Sequence, residues 1–430
     1  MRNQKERDTR TQGYILFVMD TSAVSRAYLS RKLTRPLPTK DGGTLRTVLD
    51  ARAYMLRLSK DRERSARWQR AAQLLLAKAD VGAVSRQLEL KAGAVIIGRT
   101  NLVEFAYSGL GINPHHYGTP KNAFDRATGR IPGGSSSGAA ISVTDGMAAG
   151  AIGTDTGGSI RIPAALNGLV GFKPTARRVP LDGVLPLSFT LDSAGPIAKT
   201  VTDCALLDQV LAAEEKDVPT PANLRSLRLA VPSTVFQNDL SPAVADSFRA
   251  ALTRLSAAGA TVVELPMGEF AQAAAVNPRG ALTSAEAYSW HRQWMKDGAD
   301  KYDPRVIVRI RPGETMTAAN YIELMKLREQ FIRTINAAAS GYDAMLMPTT
   351  PETAPTIAEA GKDDETYTRL NLRMLRNPAI VNLFDGCALS VPCHEPGTAP
   401  VGLMIAGTQN TDRKILEVGL AMEQVVSRRG

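Results

Sequence analysis

Gly133-Gly134-Ser135-Ser136-Ser137-Gly138-Ala139-Ala140, followed by Gly153-Thr154-Asp155-Thr156-Gly157-Gly158-Ser159-Ile160-Arg161, is the stretch whose reading decides the fold. Ser135 and Ser159 sit in two glycine-rich turns 24 residues apart, with small residues filling 139–151 between them. Glycine supplies backbone conformations closed to other residues and lets amide N–H groups approach a ligand closely. One Gly/Ser cluster reads as an ordinary loop. Two in this order, with these residues, read as a site.

Outward from that stretch the chain alternates strand and helix signals from Gly93 onward, as an α/β protein does. Residues 94–97, 227–231, Thr261–Leu265 and 344–347 are short apolar runs that predict buried strands. Ser241-Pro242 predicts a helix start, with serine at the N-cap and proline at the first helical position, and Ala258-Gly259 predicts its end. A final helix is expected over about Asp412–Val426. Residues 214–223, with two prolines and four charges, are the best linker. The organisation expected is a basic, mostly helical segment over 1–59, a core over 60–213, and a C-terminal α/β portion of the same catalytic domain over 224–430. Residues 54–59 alternate like a strand and lead into Lys60-Asp61.

Amide cleavage needs an activated nucleophile, a route for its proton and donors for the developing oxyanion. Ser159 suits the first role, because a Gly-Gly turn before it can aim successive N–H groups at one point beside its oxygen. It suits equally well the N-cap of a helix beginning near Ile160, and spacing alone leaves the two readings level.

The paired turns resemble the amidase signature family of serine hydrolases. Gly98-Arg99-Thr100-Asn101, Glu104-Phe105-Ala106, Gly118-Thr119-Pro120 and Gly171-Phe172-Lys173-Pro174-Thr175 are similar to further family landmarks. The resemblance is strongest over 87–212 and continues more loosely through Leu346-Met347-Pro348-Thr349 and Pro400-Val401-Gly402-Leu403-Met404. It implies an amidase signature fold, a large mixed β-sheet flanked by helices. It also implies a cofactor-independent amidase in which Ser159 is the nucleophile, Ser135 the relay serine across a cis Gly134–Ser135 peptide, and the backbone of Thr156, Gly157, Gly158 and Ser159 the oxyanion hole.

The family's third catalytic group is a lysine after an apolar strand, in a Gly-x-Pro-x-x-x-Lys-Asp setting, and no such string occurs here. Lys40, Lys60, Lys78 and Lys91 lie 95, 75, 57 and 44 residues before Ser135. The family's spacing selects Lys60, the only one of the four that follows a strand-like alternation, and Asp61 comes next. The alternative is a solvated surface lysine, since Arg57, Arg62 and Arg64 are neighbours. A general base must be neutral, so the role requires burial that lowers the pKa from ~10.4.

Other chemistry competes with this reading. Gly134-x-Ser136-x-Gly138 satisfies the nucleophile-elbow pattern, with His291 or His394 as base, but Arg130-Ile131-Pro132 before it is no strand. Gly133–Gly138 lacks the Lys-Ser/Thr ending of a P-loop. His115-His116 reads as a polar loop pair, and Cys393 as packing. Four histidines and three cysteines without ligand spacing argue against a metal site, and no cofactor is implied.

The net charge of +10 is uneven: residues 1–100 hold 21 Lys and Arg against 9 Asp and Glu. These charges are scattered and lack interleaved aromatics, so they read as a solvated surface and not as a nucleic-acid footprint. The apolar run over 14–19 is too short for a membrane span and has no cleavage site behind it. The odd cysteine count suits a reducing compartment, so a cytoplasmic protein acting on a small-molecule amide is expected. A homo-oligomer is left open. The rival functions are the A subunit of an amidotransferase working on aminoacyl-tRNA, and a catalytically impaired amidase relative.

Overall fold

The computed structural model describes residues 14–18, 32–38, 44–47, 95–113, 118–214 and 217–427. Ten strands form one sheet: β1 (Tyr14–Val18), β4 (Val95–Thr100), β5 (Gly150–Asp155), β6 (Val170–Lys173), β7 (Ser193–Ala198), β8 (Arg228–Pro232), β9 (Thr261–Leu265), β10 (Ala344–Pro348), β11 (Cys387–Pro392) and β12 (Gly402–Gly407). Two more, β2 (Lys32–Pro38) and β3 (Thr44–Thr47), pair only with each other among the described residues. The large sheet runs β4-β1-β5-β7-β6-β11-β12-β10-β8-β9. β8 pairs in parallel with β9 and β10, and the rest of the sheet is antiparallel, so it is mixed as expected.

The helices that frame the site and the two core layers include, in chain order, α1 (Ser137–Thr144), α2 (Arg161–Leu166), α3 (Pro242–Ala257), α4 (Ala281–Met295), α5 (Ala318–Ala339), α6 (Asp364–Leu383) and α7 (Asp412–Val426). Among the described residues no helix is long and apolar enough to cross a membrane.

The two-residue period of the strands sorts the core into two layers. Leu229, Val231, Leu346, Leu403 and Ile405 point to the layer covered by α3 and α7. Their neighbours Ala230, Met345, Met347, Met404 and Ala406 point to the layer covered by α5 and α6. Central strands buried on both faces need no polar alternation, which is why β10 reads as a short continuous apolar run.

α3 begins where the Ser-Pro pair predicts, with one difference. The Ser241 side chain makes no capping bond, and its hydroxyl is buried without a partner among the described residues. Pro242 at the first helical position removes one amide that would otherwise need a cap. The helix ends at Ala258, and Gly259 takes a left-handed φ of 103°.

The described parts of 1–59 are strands, and β1 lies inside the large sheet between β4 and β5. Tyr-Ile-Leu-Phe-Val is rich in β-branched and aromatic residues, which favour strand conformation. The sheet also crosses the expected linker, because β6 pairs with β11. The linker itself is pinned: Ala222 N donates to Glu417 O at 3.0 Å, and Asp217 O accepts from Gln209 and Arg413.

Candidate active site

Both serine turns sit beside the centre of the sheet. β5 ends at Asp155, Thr156 to Ser159 turn the chain, and α2 begins at Arg161. The upstream turn leads into α1, and Ser136 N donates to Ser159 O at 3.2 Å, joining the two turns directly.

Asp155 organises the Ser159 turn. Its carboxylate accepts from Gly158 N at 2.8 Å and Ile160 N at 3.1 Å, and it pairs with Arg161 at 2.9 Å with both side chains fully buried. Asn382 from α6 donates to the same carboxylate at 3.0 Å and accepts from Arg161 at 2.6 Å. Burial alone would push the Asp155 carboxyl up; the Arg161 charge and hydrogen bonds, with Lys173 and Asn382 behind them, overcome it and hold the group at about 2.

This arrangement separates the two readings of Ser159. α2 takes no side-chain cap, and the amide at its start is satisfied by Asp155. The Ser159 hydroxyl is not used as a cap. Among the described residues the amides of Thr156, Gly157 and Ser159 meet no protein acceptor, whereas the Gly158 amide is committed to Asp155. Of the expected oxyanion donors, Gly158 therefore differs: its N–H holds the turn in shape. Its φ of 130° is closed to other residues, and a Cβ there would meet Pro378 Cγ at 2.6 Å.

The Ser135 turn is built by close backbone approach. The Gly134–Ser135 peptide is cis, and Gly134 N donates to Gly109 O at 2.8 Å. A Cβ on Gly134 would lie 2.6 Å from Gly111 N, so only glycine fits. Ser135 is wholly buried, its carbonyl accepts from Val103 N at 3.2 Å, and its hydroxyl has no partner among the described residues.

Lys60 falls outside the described residues, as do Lys40, Lys78, Lys91 and the His115-His116 pair. The nucleophile-elbow alternative finds no support in the geometry. Residues 131–133 form no strand, and the Ser136 hydroxyl points to Thr154 O at 3.4 Å. His291 sits among Phe105, Trp290 and Tyr302, with Nδ1 3.0 Å from the Tyr302 hydroxyl, and burial brings it down to about 4. Burial pushes the Cys393 thiol up to about 12, which leaves it a packing group. Among the described residues no cluster of three or more His, Cys, Asp or Glu could hold a metal ion.

Two groups at the site carry no clear mark in the sequence. Asn382 and Asp192 reach it from distant segments. Lys173, at the end of β6, is buried and donates to Pro174 O at 2.6 Å. Burial, with the Arg161 charge beside it, brings Lys173 down to about 8 against the pull of Asp155 and Asp385.

A family model described as Amidase matches residues 75–416, and the chain belongs to that family. It is an enzyme that acts on amides. It is 36% identical over 368 residues to a 2-amino-5-chloromuconic acid deaminase of Comamonas testosteroni, an alignment covering 84% of this chain and 76% of the relative. It is 32% identical to the A subunit of the glutamyl-tRNA(Gln) amidotransferase of Thermotoga maritima, covering 78% of this chain and 76% of that one. Among solved structures, one described as a crystal structure of amidase superposes with a TM-score of 0.71 at 31% identity, covering 80% of this chain and 78% of that one.

Proposed function

We propose that the protein hydrolyses a small carboxylic amide to acid and ammonia or amine through an acyl-enzyme on Ser159. The observation that carries this reading is the division of labour at the turn: Asp155 does the capping, and Ser159 keeps its hydroxyl beside uncommitted amides. In the proposed reaction Ser159 Oγ attacks the carbonyl carbon while its proton passes to Ser135 and on to a lysine. The amides of Thr156, Gly157 and Ser159 receive the oxyanion. Collapse of the tetrahedral intermediate breaks the C–N bond, and the leaving amine takes the proton. Water then attacks the ester carbonyl and releases the acid, returning the proton to Ser159.

Lys60 is the proposed base, on its spacing and on Asp61 following it. The family match begins at residue 75, after Lys60. Lys60→Ala is expected to cut turnover severely, and activity is expected to fall at low pH as the ammonium form takes over. If Lys40→Ala or Lys78→Ala abolishes turnover and Lys60→Ala does not, the base is misassigned.

Similarity to the Thermotoga protein favours a second reading, the A subunit of an amidotransferase working on aminoacyl-tRNA with partner chains. Ammonia release from simple amides by the isolated chain separates the two: release supports the amidase, and release only with partner proteins supports the amidotransferase. A chain inert under both conditions is the impaired relative. The three cysteines are unpaired and buried, which fits a cytoplasmic protein.

A further inference from the structure

The catalytic scheme uses Thr156 only through its backbone, yet its hydroxyl is engaged. Thr156 Oγ1 donates to Asp192 Oδ1 at 2.5 Å, with both residues buried. The other oxygen of Asp192 accepts from Leu187 N at 2.9 Å and Ser188 N at 3.0 Å, closing the loop that leads into β7. That loop is tied to two helices through Glu286 on α4. Ser188 Oγ and both the amide and the hydroxyl of Thr190 donate to Glu286, as does Tyr321 of α5 at 2.7 Å.

We propose that Asp192 is a positioning residue of the nucleophile turn, holding Thr156 by its hydroxyl so that the Thr156 and Gly157 amides face the point where the oxyanion forms. This rests on the oxyanion role proposed for those amides. Asp155 grips the far side of the turn, through Gly158 and Ile160. Between the two grips lie Gly157 and Gly158, the residues with the greatest backbone freedom. Oxyanion donors act only when held within about 0.5 Å of the productive geometry, so a turn of this kind needs an anchor on each flank.

The residue type supports the assignment. Asp192 accepts on both oxygens, from a hydroxyl on one side and two amides on the other. Asparagine offers one acceptor and one donor group: with its oxygen on the Leu187 and Ser188 amides its NH2 faces the Thr156 hydroxyl, which can then only accept, and the charge-assisted bond from that hydroxyl is lost; flipped, its NH2 meets the two N–H groups. The carboxylate is also held at a cost: burial, with the Glu286 charge adding to it, raises it to about 6 against the pull of its hydrogen bonds.

A double-mutant cycle on Asp192→Asn and Thr156→Val tests this. Each single change is expected to lower kcat about 10- to 100-fold, with KM held within about threefold. The double variant should be no slower than the slower single, because both remove one contact. Thr156→Ser should recover most of the loss. Hydrogen exchange of a peptide covering 154–161 gives a readout independent of turnover, and it should quicken in Asp192→Asn. Wild-type kcat in Asp192→Asn, losses that multiply in the double variant, or unchanged exchange would overturn the assignment. If Asp192→Asn does not fold, Thr156→Val carries the same readouts. A wild type inert toward amides sinks the hydrolase reading, and the exchange measurement still decides this one.

Discussion

Around Ser159 the charged side chains are tied down. Asp155 holds Gly158, Ile160 and Arg161, Asp192 holds Thr156, and Asn382 braces the ion pair from α6. Ser135 sits in a turn packed just as closely, yet its buried hydroxyl has no partner among the described residues. A buried hydroxyl left unpaired costs about 1–3 kcal/mol. One turn is thus restrained by charged side chains at its flanks. The other is shaped by backbone contacts and keeps an unpaired polar group that the proposed relay would use. The difference teaches that stability and catalysis can be separated by mutation at this site.

Ser135→Ala sharpens that contrast most. Removing the relay should slow acylation by about 10²–10⁴-fold. The melting temperature should stay equal or rise, because a methyl-sized group replaces an unpaired hydroxyl. Single-turnover kinetics beside a thermal melt would check both. Near-wild-type turnover would remove the relay from the scheme, and a large loss of stability would break the contrast.

Asp155→Asn is expected to do the opposite, destabilising the protein first. It leaves Arg161 charged and fully buried without its partner, at a cost of about 3–5 kcal/mol, measurable by denaturant unfolding. Because the carboxyl is held at about 2, this stabilisation is present above the ordinary carboxylate pKa and is lost only as pH falls towards 2.

His291 gives a smaller and more distant effect. Its folded value of about 4 lies below the ordinary 6.5, so the unfolded chain binds a proton that the native state refuses. Stability should be full above 6.5 and decline as pH falls towards 4. His291→Phe should flatten that decline in a pH series of unfolding free energies, without moving the acid limb of catalysis. A shift in the catalytic limb would give His291 a part in the chemistry.

What is legible in the sequence is local. Asp412–Val426 lies where its apolar pattern places it, and Thr261–Leu265 is a strand as expected but not a buried one, because it is the last strand of the sheet. The tight turns are legible because glycine pairs mark them. Tyr14–Val18 reads only as too short for a membrane, since its place between β4 and β5 depends on pairing with strands far along the chain. Asp192 and Glu286 carry no local mark either. Each is an ordinary acidic residue until the fold brings Thr156 to one and Ser188 to the other. Asp155 is visible as part of a turn, but its bond to Arg161 forms only when α2 winds back over the end of β5.

The central claim is that Ser159 is the acylated residue. Treating the protein with a fluorophosphonate and mapping the adduct by peptide mass spectrometry tests it most directly. The account predicts a single adduct on Ser159, absent in Ser159→Ala. An adduct on Ser136, with Ser159 unmodified, would contradict it and restore the nucleophile-elbow reading.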